Sequence, residues 1–160
     1  MGARAEALAA RIEDGARVIT EVAEGLSATD WAAEVAGEGR SVGVLVHHVA
    51  AAYEAEAGLI GALTGEQDVS GVTWAVVDQM NADHARANTG GSREDALDLL
   101  RRNSAQTAAL VRGLDDAQLD RVAPTALHWG APLTVQFFIE QHPVAHPHIH
   151  LESIRAALGR

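Results

Sequence analysis

Four of the eight histidines in this 160-residue chain fall within one stretch, His142-Pro143-Val144-Ala145-His146-Pro147-His148-Ile149-His150. No other segment is so dense in groups that bind metals or move protons. His146 and His150 are four residues apart, so on a helix their rings project from one face on successive turns. Two such rings can share one ion, at about 2.0–2.1 Å for zinc and nitrogen. A third donor must come from another helix. His48 is the best candidate, because helical counting turns it inward among Leu45, Val49 and Ala52 while its neighbour His47 falls about 100° away. Three neutral imidazoles leave a coordination position open, as catalytic sites do. A water or a substrate thiol, oxygen or nitrogen in that position would lose its proton near neutral pH.

The same residues admit plainer uses. An inward histidine such as His48 also serves as a hydrogen-bonded core residue. His142 and His146 have the spacing of His146 and His150, so His142 reads as a spare ligand or as a group that orients a ligand ring from outside. Trp74, Asn81 and His84 share a helical stripe that could line a pocket over the site, and His128 and Trp129 could overhang it from a loop. Taken singly, each of these is more commonly part of an ordinary half-buried surface. Pro143 and Pro147 lie inside the stretch, and an interior proline costs a helix about 3 kcal/mol. Either the helix kinks, or it stops and restarts with Pro147 in a first turn, where proline is tolerated.

The elements that must hold these groups are helices. Residues 3–26, 42–63, 72–88, 92–113 and 134–158 carry apolar positions at helical spacing. Ser41 is placed to cap the second of these and Ser92 the fourth. Val72, Val76, Val77 and Met80 are the core candidates of the third, and residues 115–119 fit one further turn. The segments 64–71 and 120–132 read as loops, and nothing alternates long enough to build a sheet. The expectation is a single all-α domain over 1–160, a bundle of four main helices, one of them split by the 88–91 turn.

Composition narrows the chemistry. There is no cysteine, which excludes disulfides, thiolate nucleophiles and cysteine-held metals. Every basic residue is arginine, so no lysine can form a Schiff base. The net charge of −10 argues against nucleic acid as a partner. No apolar run is long enough for a membrane span, and the charged, periodic N-terminus lacks a signal-peptide core. A cytoplasmic protein acting on a small molecule is the expectation.

Three motifs together carry a family resemblance. The segment Ser41-Val-Gly-Val-Leu-Val-His-His48-Val-Ala, preceded by Trp31, resembles the second-helix motif of the DinB-like superfamily. His146-Pro-His-Ile-His150-Leu-Glu-Ser-Ile154 resembles its closing motif, and Asn81-Ala82 a recurrent feature of its third helix. The family includes mycothiol-dependent maleylpyruvate isomerases and bacillithiol transferases. The resemblance implies a four-helix bundle with a crossover connection and a central divalent metal, zinc first and nickel or iron as alternatives, held by His48, His146 and His150. It implies a thiol S-transferase or isomerase that uses mycothiol or a similar thiol on an electrophilic small molecule, and a possible homodimer. Prolines 143 and 147 and the extra histidines His47, His142 and His148 depart from the family pattern. A non-catalytic binding or stress-response bundle stapled by a closed four-ligand metal site, with His142 or His84 as the fourth ligand, is the alternative. A metal-free helical domain is a third.

Overall fold

The computed structural model describes residues 2–160. Helix α1 spans Ala3–Glu24 and is followed by the short α2, Ala28–Ala32. A two-residue hairpin, β1 at Glu34–Val35 and β2 at Arg40–Ser41, leads directly into α3, Val42–Thr64. Helices α4, Trp74–Ala87, and α5, Arg93–Arg112, come next, then α6, Asp116–Asp120. The last helical run has three parts: α7 at Val135–Ile139, a π-helical turn at Glu140–Val144, and α8 at Ala145–Leu158.

The chain is all-α, as its periodicity predicts. The principal contacts run from α1 to α5, from α5 to α3, from α3 to α8 and from α8 back to α1. The long helices α1 and α3, neighbours in sequence, therefore stand at opposite corners of a four-helix bundle, which is the crossover. Ile12, Ile19, Leu45, Ile60, Leu100, Ile139 and Ile154 fill its centre. Two side chains of α5 join it to α3 through backbone carbonyls. Asn103 donates to Ala50 at 3.0 Å and Thr107 to Tyr53 at 2.9 Å, so these buried polar groups are satisfied.

Caps fix the helix starts. Ser41, Thr73, Ser92 and Thr134 each accept a backbone N–H two or three residues into the helix that follows. Close approach explains two glycines. A Cβ on Gly43 would run into the Trp31 indole, which lies across the start of α3. A Cβ on Gly15, in the middle of α1, would meet Pro147 Cγ at 2.9 Å.

The segment between α1 and α3 holds α2 and the small hairpin, and Val42 N donates to Ala33 O at 2.9 Å. One expectation needs correction. Helix α4 contributes no buried residue: Val76 and Met80 are exposed, while Val72, just before the helix, and Val77 pack on the core's edge. Its apolar stripe is real, but α5 occupies the core position beside α3, and α4 lies outside it. Of the two alternatives for the prolines, the structure keeps the first-turn place of Pro147 but joins α7 to α8 through a π turn rather than a break. Pro143 sits inside the π turn and Pro147 in the first turn of α8. The wider turn absorbs Pro143's missing N–H, a known way for a helix to carry an irregularity beside a functional site.

Candidate metal centre

His48 enters from α3, and His146 and His150 enter from α8. One ring nitrogen from each lies within 4.8 Å of the others. The Nε2 atoms of His146 and His150 are 2.8 Å apart. The His48 ring stands edge-on to both, with centroids 5.1 Å away in each case. His48 is buried, and the side chains of His146 and His150 keep 21% and 11% of their surface exposed. The site is thus largely sheltered, with the two α8 rings partly exposed.

Burial sets the protonation states. It pushes the His48 imidazole down to about 2 and that of His150 down to about 3, helped by the neighbouring rings and by Arg40. Both rings are neutral at pH 7, the form that donates a lone pair to a metal. Carboxylates stand behind the two α8 ligands. Glu56 Oε1 lies 3.1 Å from Nδ1 of His146. Glu38 Oε1 lies 3.5 Å from Nδ1 of His150, at ion-pair distance but beyond a hydrogen bond. A carboxylate on the outer nitrogen fixes a ring's tautomer and turns its other nitrogen toward the metal. Three converging imidazoles, one of them backed in this way by Glu56, fit a divalent ion of the zinc, nickel or iron type.

The other candidate residues are distributed around this centre. His84, on α4, has its ring 5.7 Å from that of His48, and its Nε2 is 2.8 Å from Nδ1 of His47. Asn81 is half-buried one turn earlier on α4. Trp74 donates its indole N–H to Leu127 O at 2.9 Å, which ties the start of α4 to the 126–128 turn. The π turn takes His142 away from the trio: its ring stacks on Phe138 at 4.2 Å and meets His128 at 5.4 Å. Trp129 stands in the left-handed region with φ 54° and is 88% exposed, so it points to solvent and does not overhang the histidines. A surface cleft of about 810 Å³ beside it is walled by segments 66–70 and 121–126, away from the trio. His148 faces outward, as helical counting places it.

Sequence reasoning missed Glu56, Glu38 and Arg40. For Glu56 a signal existed: it follows His48 by eight residues on the same helix, close to two full turns, and is a carboxylate on an otherwise apolar face. Glu38 and Arg40 reach the site through the small hairpin, whose pairing no local pattern announces.

A four-helix bundle with a crossover and three histidines converging from its second and last long helices defines a class of helical proteins able to hold a metal in the bundle. The chain belongs to the DinB superfamily, whose model matches residues 6–154. No curated protein and no solved structure gives a significant match.

Proposed function

We propose that the protein is a divalent-metal-dependent enzyme that uses a low-molecular-weight thiol, such as mycothiol, as an S-transferase or isomerase acting on a small electrophile. The observation that carries this reading is the convergence of His48, His146 and His150 with Glu56 behind one of them. Three donors leave room for an exogenous ligand. Among the described residues, no further histidine or carboxylate joins their cluster, which favours a catalytic site over a closed staple. Zinc is the proposed ion, with nickel or iron as alternatives. Such an ion, when bound, supplies Lewis acidity that makes a thiol a thiolate near neutral pH.

The chain's own residues then have assigned tasks. Glu56 holds the outer nitrogen of His146, and Glu38 sets a negative charge beside that of His150. His84 stands beside His48 with a buried Nδ1 that meets no partner among the described residues. Burial keeps His84 and His47 below the usual histidine range, so both rings are neutral at pH 7. In the tautomer that donates His84 Nε2–H to His47 Nδ1, His84 Nδ1 is a free acceptor on the side of His48, placed to receive a hydrogen bond from the thiol and orient it. The sulfur attacks an electrophilic carbon and either displaces a leaving group or adds and is later eliminated.

No helix among the described residues is long and apolar enough to cross a membrane. A cytoplasmic location, a small-molecule substrate and no nucleic-acid partner complete the reading. Homodimer formation is supported by the exposed Trp74, Val76 and Met80 on α4.

The test is metal analysis of protein purified without an affinity tag, followed by cobalt substitution and addition of a thiol. Stoichiometric metal and a sulfur-to-cobalt charge-transfer band are the expected results. Metal without any thiol response would favour the stapled, non-catalytic bundle. Absence of bound metal, with no uptake on titration, would overturn both.

A further inference from the structure

Helix α4 turns its more polar side to the bundle. Its half-buried residues are Val77, Asn81, His84 and Ala85, with Asn88 just past its end, and they form one stripe at helical spacing. Three of these five are polar, while Val76 and Met80 lie exposed on the outer side. None of the fourteen residues of α4 is buried, whereas α5, packed on the same α3, buries Leu97, Leu100, Ala108 and Val111. Burial of an apolar face is what seats a helix in a domain, so little holds α4 down. Among the described residues, two side-chain hydrogen bonds join it to the rest of the chain. Trp74, at its first residue, donates Nε1–H to Leu127 O at 2.9 Å, and His84, near its last turn, meets His47 Nδ1 through Nε2 at 2.8 Å.

The connections at both ends suit a hinge. Gly71 precedes α4, and Gly90, with φ 77°, follows it. A Cβ at either glycine would meet nothing within 4 Å, so neither connection is packed in place. What α4 covers is the histidine site. The rings of His146 and His150 stand against His48 from α8, and the ring of His84 stands against it from α4, 5.7 Å away. Between them they leave His48 7% exposed.

We propose that α4 is a lid. It lifts from α3 as a unit about the segments 65–73 and 88–92, breaks its two hydrogen bonds, draws His84 off His48 and so admits a small molecule to the trio. The polar inner stripe fits this use, because polar groups cost little to wet when the lid is up. Closure returns His84 to the side of His48, so the lid completes the site as it shuts. The lifting needs no bound metal; its use as the entry to the site rests on the metal-dependent reading above.

The test is native-state hydrogen exchange on the metal-free, full-length chain in increasing urea, together with acylation of His48 by diethylpyrocarbonate, both read by mass spectrometry. Amides of α4 should exchange at least about 100-fold faster than those of α3 and α5, and with a shallower urea dependence, because lifting one helix exposes far less surface than global unfolding. Trp74→Phe keeps an aromatic ring and removes the N–H given to Leu127. It should speed both α4 exchange and His48 acylation about fivefold, the scale of one hydrogen bond, and leave acylation of the exposed His148 unchanged. Exchange of α4 at the rate and urea dependence of α3 and α5 overturns the proposal. Faster α4 exchange in Trp74→Phe with His48 acylation unchanged also overturns it, since α4 would then be a loose helix that gates nothing. Cobalt uptake is a separate signal: a chain whose α4 opens as stated but that takes up no cobalt bears out the lid over the histidines and ends the metal reading.

Discussion

The carboxylate of Glu56 is buried in the bundle and lies 3.1 Å from Nδ1 of His146. Burial raises the Glu56 pKa and the contact with His146 lowers it, so the residue is held between two opposing demands. A carboxylate in a core costs several kcal/mol unless something repays its lost hydration. An apolar residue would pack here at less cost, so a carboxylate at this position makes sense as an orienting group for the His146 ring.

Glu56→Gln separates these roles. The variant keeps an acceptor for His146 but loses the buried charge. Its metal-free form should melt at or above the wild-type temperature, while zinc affinity falls about 10- to 100-fold, the usual effect of losing an outer partner of a ligand histidine. Chelator competition and thermal melts of the two forms measure both. A lower melting temperature with unchanged zinc affinity would make Glu56 a plain structural ion-pair partner.

The ligand set makes a second prediction. Zinc at 100 times its Kd should stabilise the native state by about 2.7 kcal/mol. In a chain of this size that raises Tm by about 5–10 °C. His48→Ala, His146→Ala and His150→Ala should each lose most of that rise. His148→Ala should keep it, because His148 lies on the outer face of α8. A rise that survives in all three trio variants would place the ion elsewhere.

How much of this centre the sequence discloses depends on what kind of information placed each residue. His48, His146 and His150 were legible because helical periodicity fixes which side of a helix a residue occupies, and a buried side has few destinations. The same logic failed on α4. Periodicity says that Val76 and Met80 share an apolar stripe, but not whether another helix covers it. Glu38 and Arg40 depend on a hairpin only two residue pairs long, held by its docking against α8, so no local signal could place them. His142 lies on the inner side, as the period places it, but within the π turn around Pro143 its ring stacks on Phe138 and stands apart from the trio.

Acid should destabilise the metal-free protein through its buried rings. His48, His142 and His150 have folded-state values of about 2, 4 and 3, all below the ordinary histidine value. The unfolded chain then binds more protons than the native one at mildly acidic pH, so stability rises with pH there. The contribution of these groups is fully present above about pH 6.5 and is lost progressively as pH falls toward the folded values. Each ring contributes up to about 1.4 kcal/mol per pH unit within its window. Denaturant melts in the presence of a chelator between pH 7 and pH 5 should show the midpoint falling steadily. A flat profile over that range would mean that the histidines are not buried in the neutral state.

The last prediction concerns how α8 is seated. Gly15 costs α1 about 1 kcal/mol relative to alanine in helix propensity, so an isolated helix would gain from Gly15→Ala. In the folded protein the new methyl would press on Pro147, one residue after a proposed ligand and one before His148, whose Nε2 would lie 3.5 Å from it. The proline ring is rigid and buried, so α8 must shift to make room. Overpacking of this kind typically costs about 1–3 kcal/mol, more than the propensity gain. Gly15→Ala should therefore lower the melting temperature of the metal-free protein and also weaken zinc binding, because the displaced turn carries His146. The correlated loss is the informative outcome. If the variant were stabilised and bound zinc as the wild type does, the close approach of α1 to Pro147 would have no part in positioning the site.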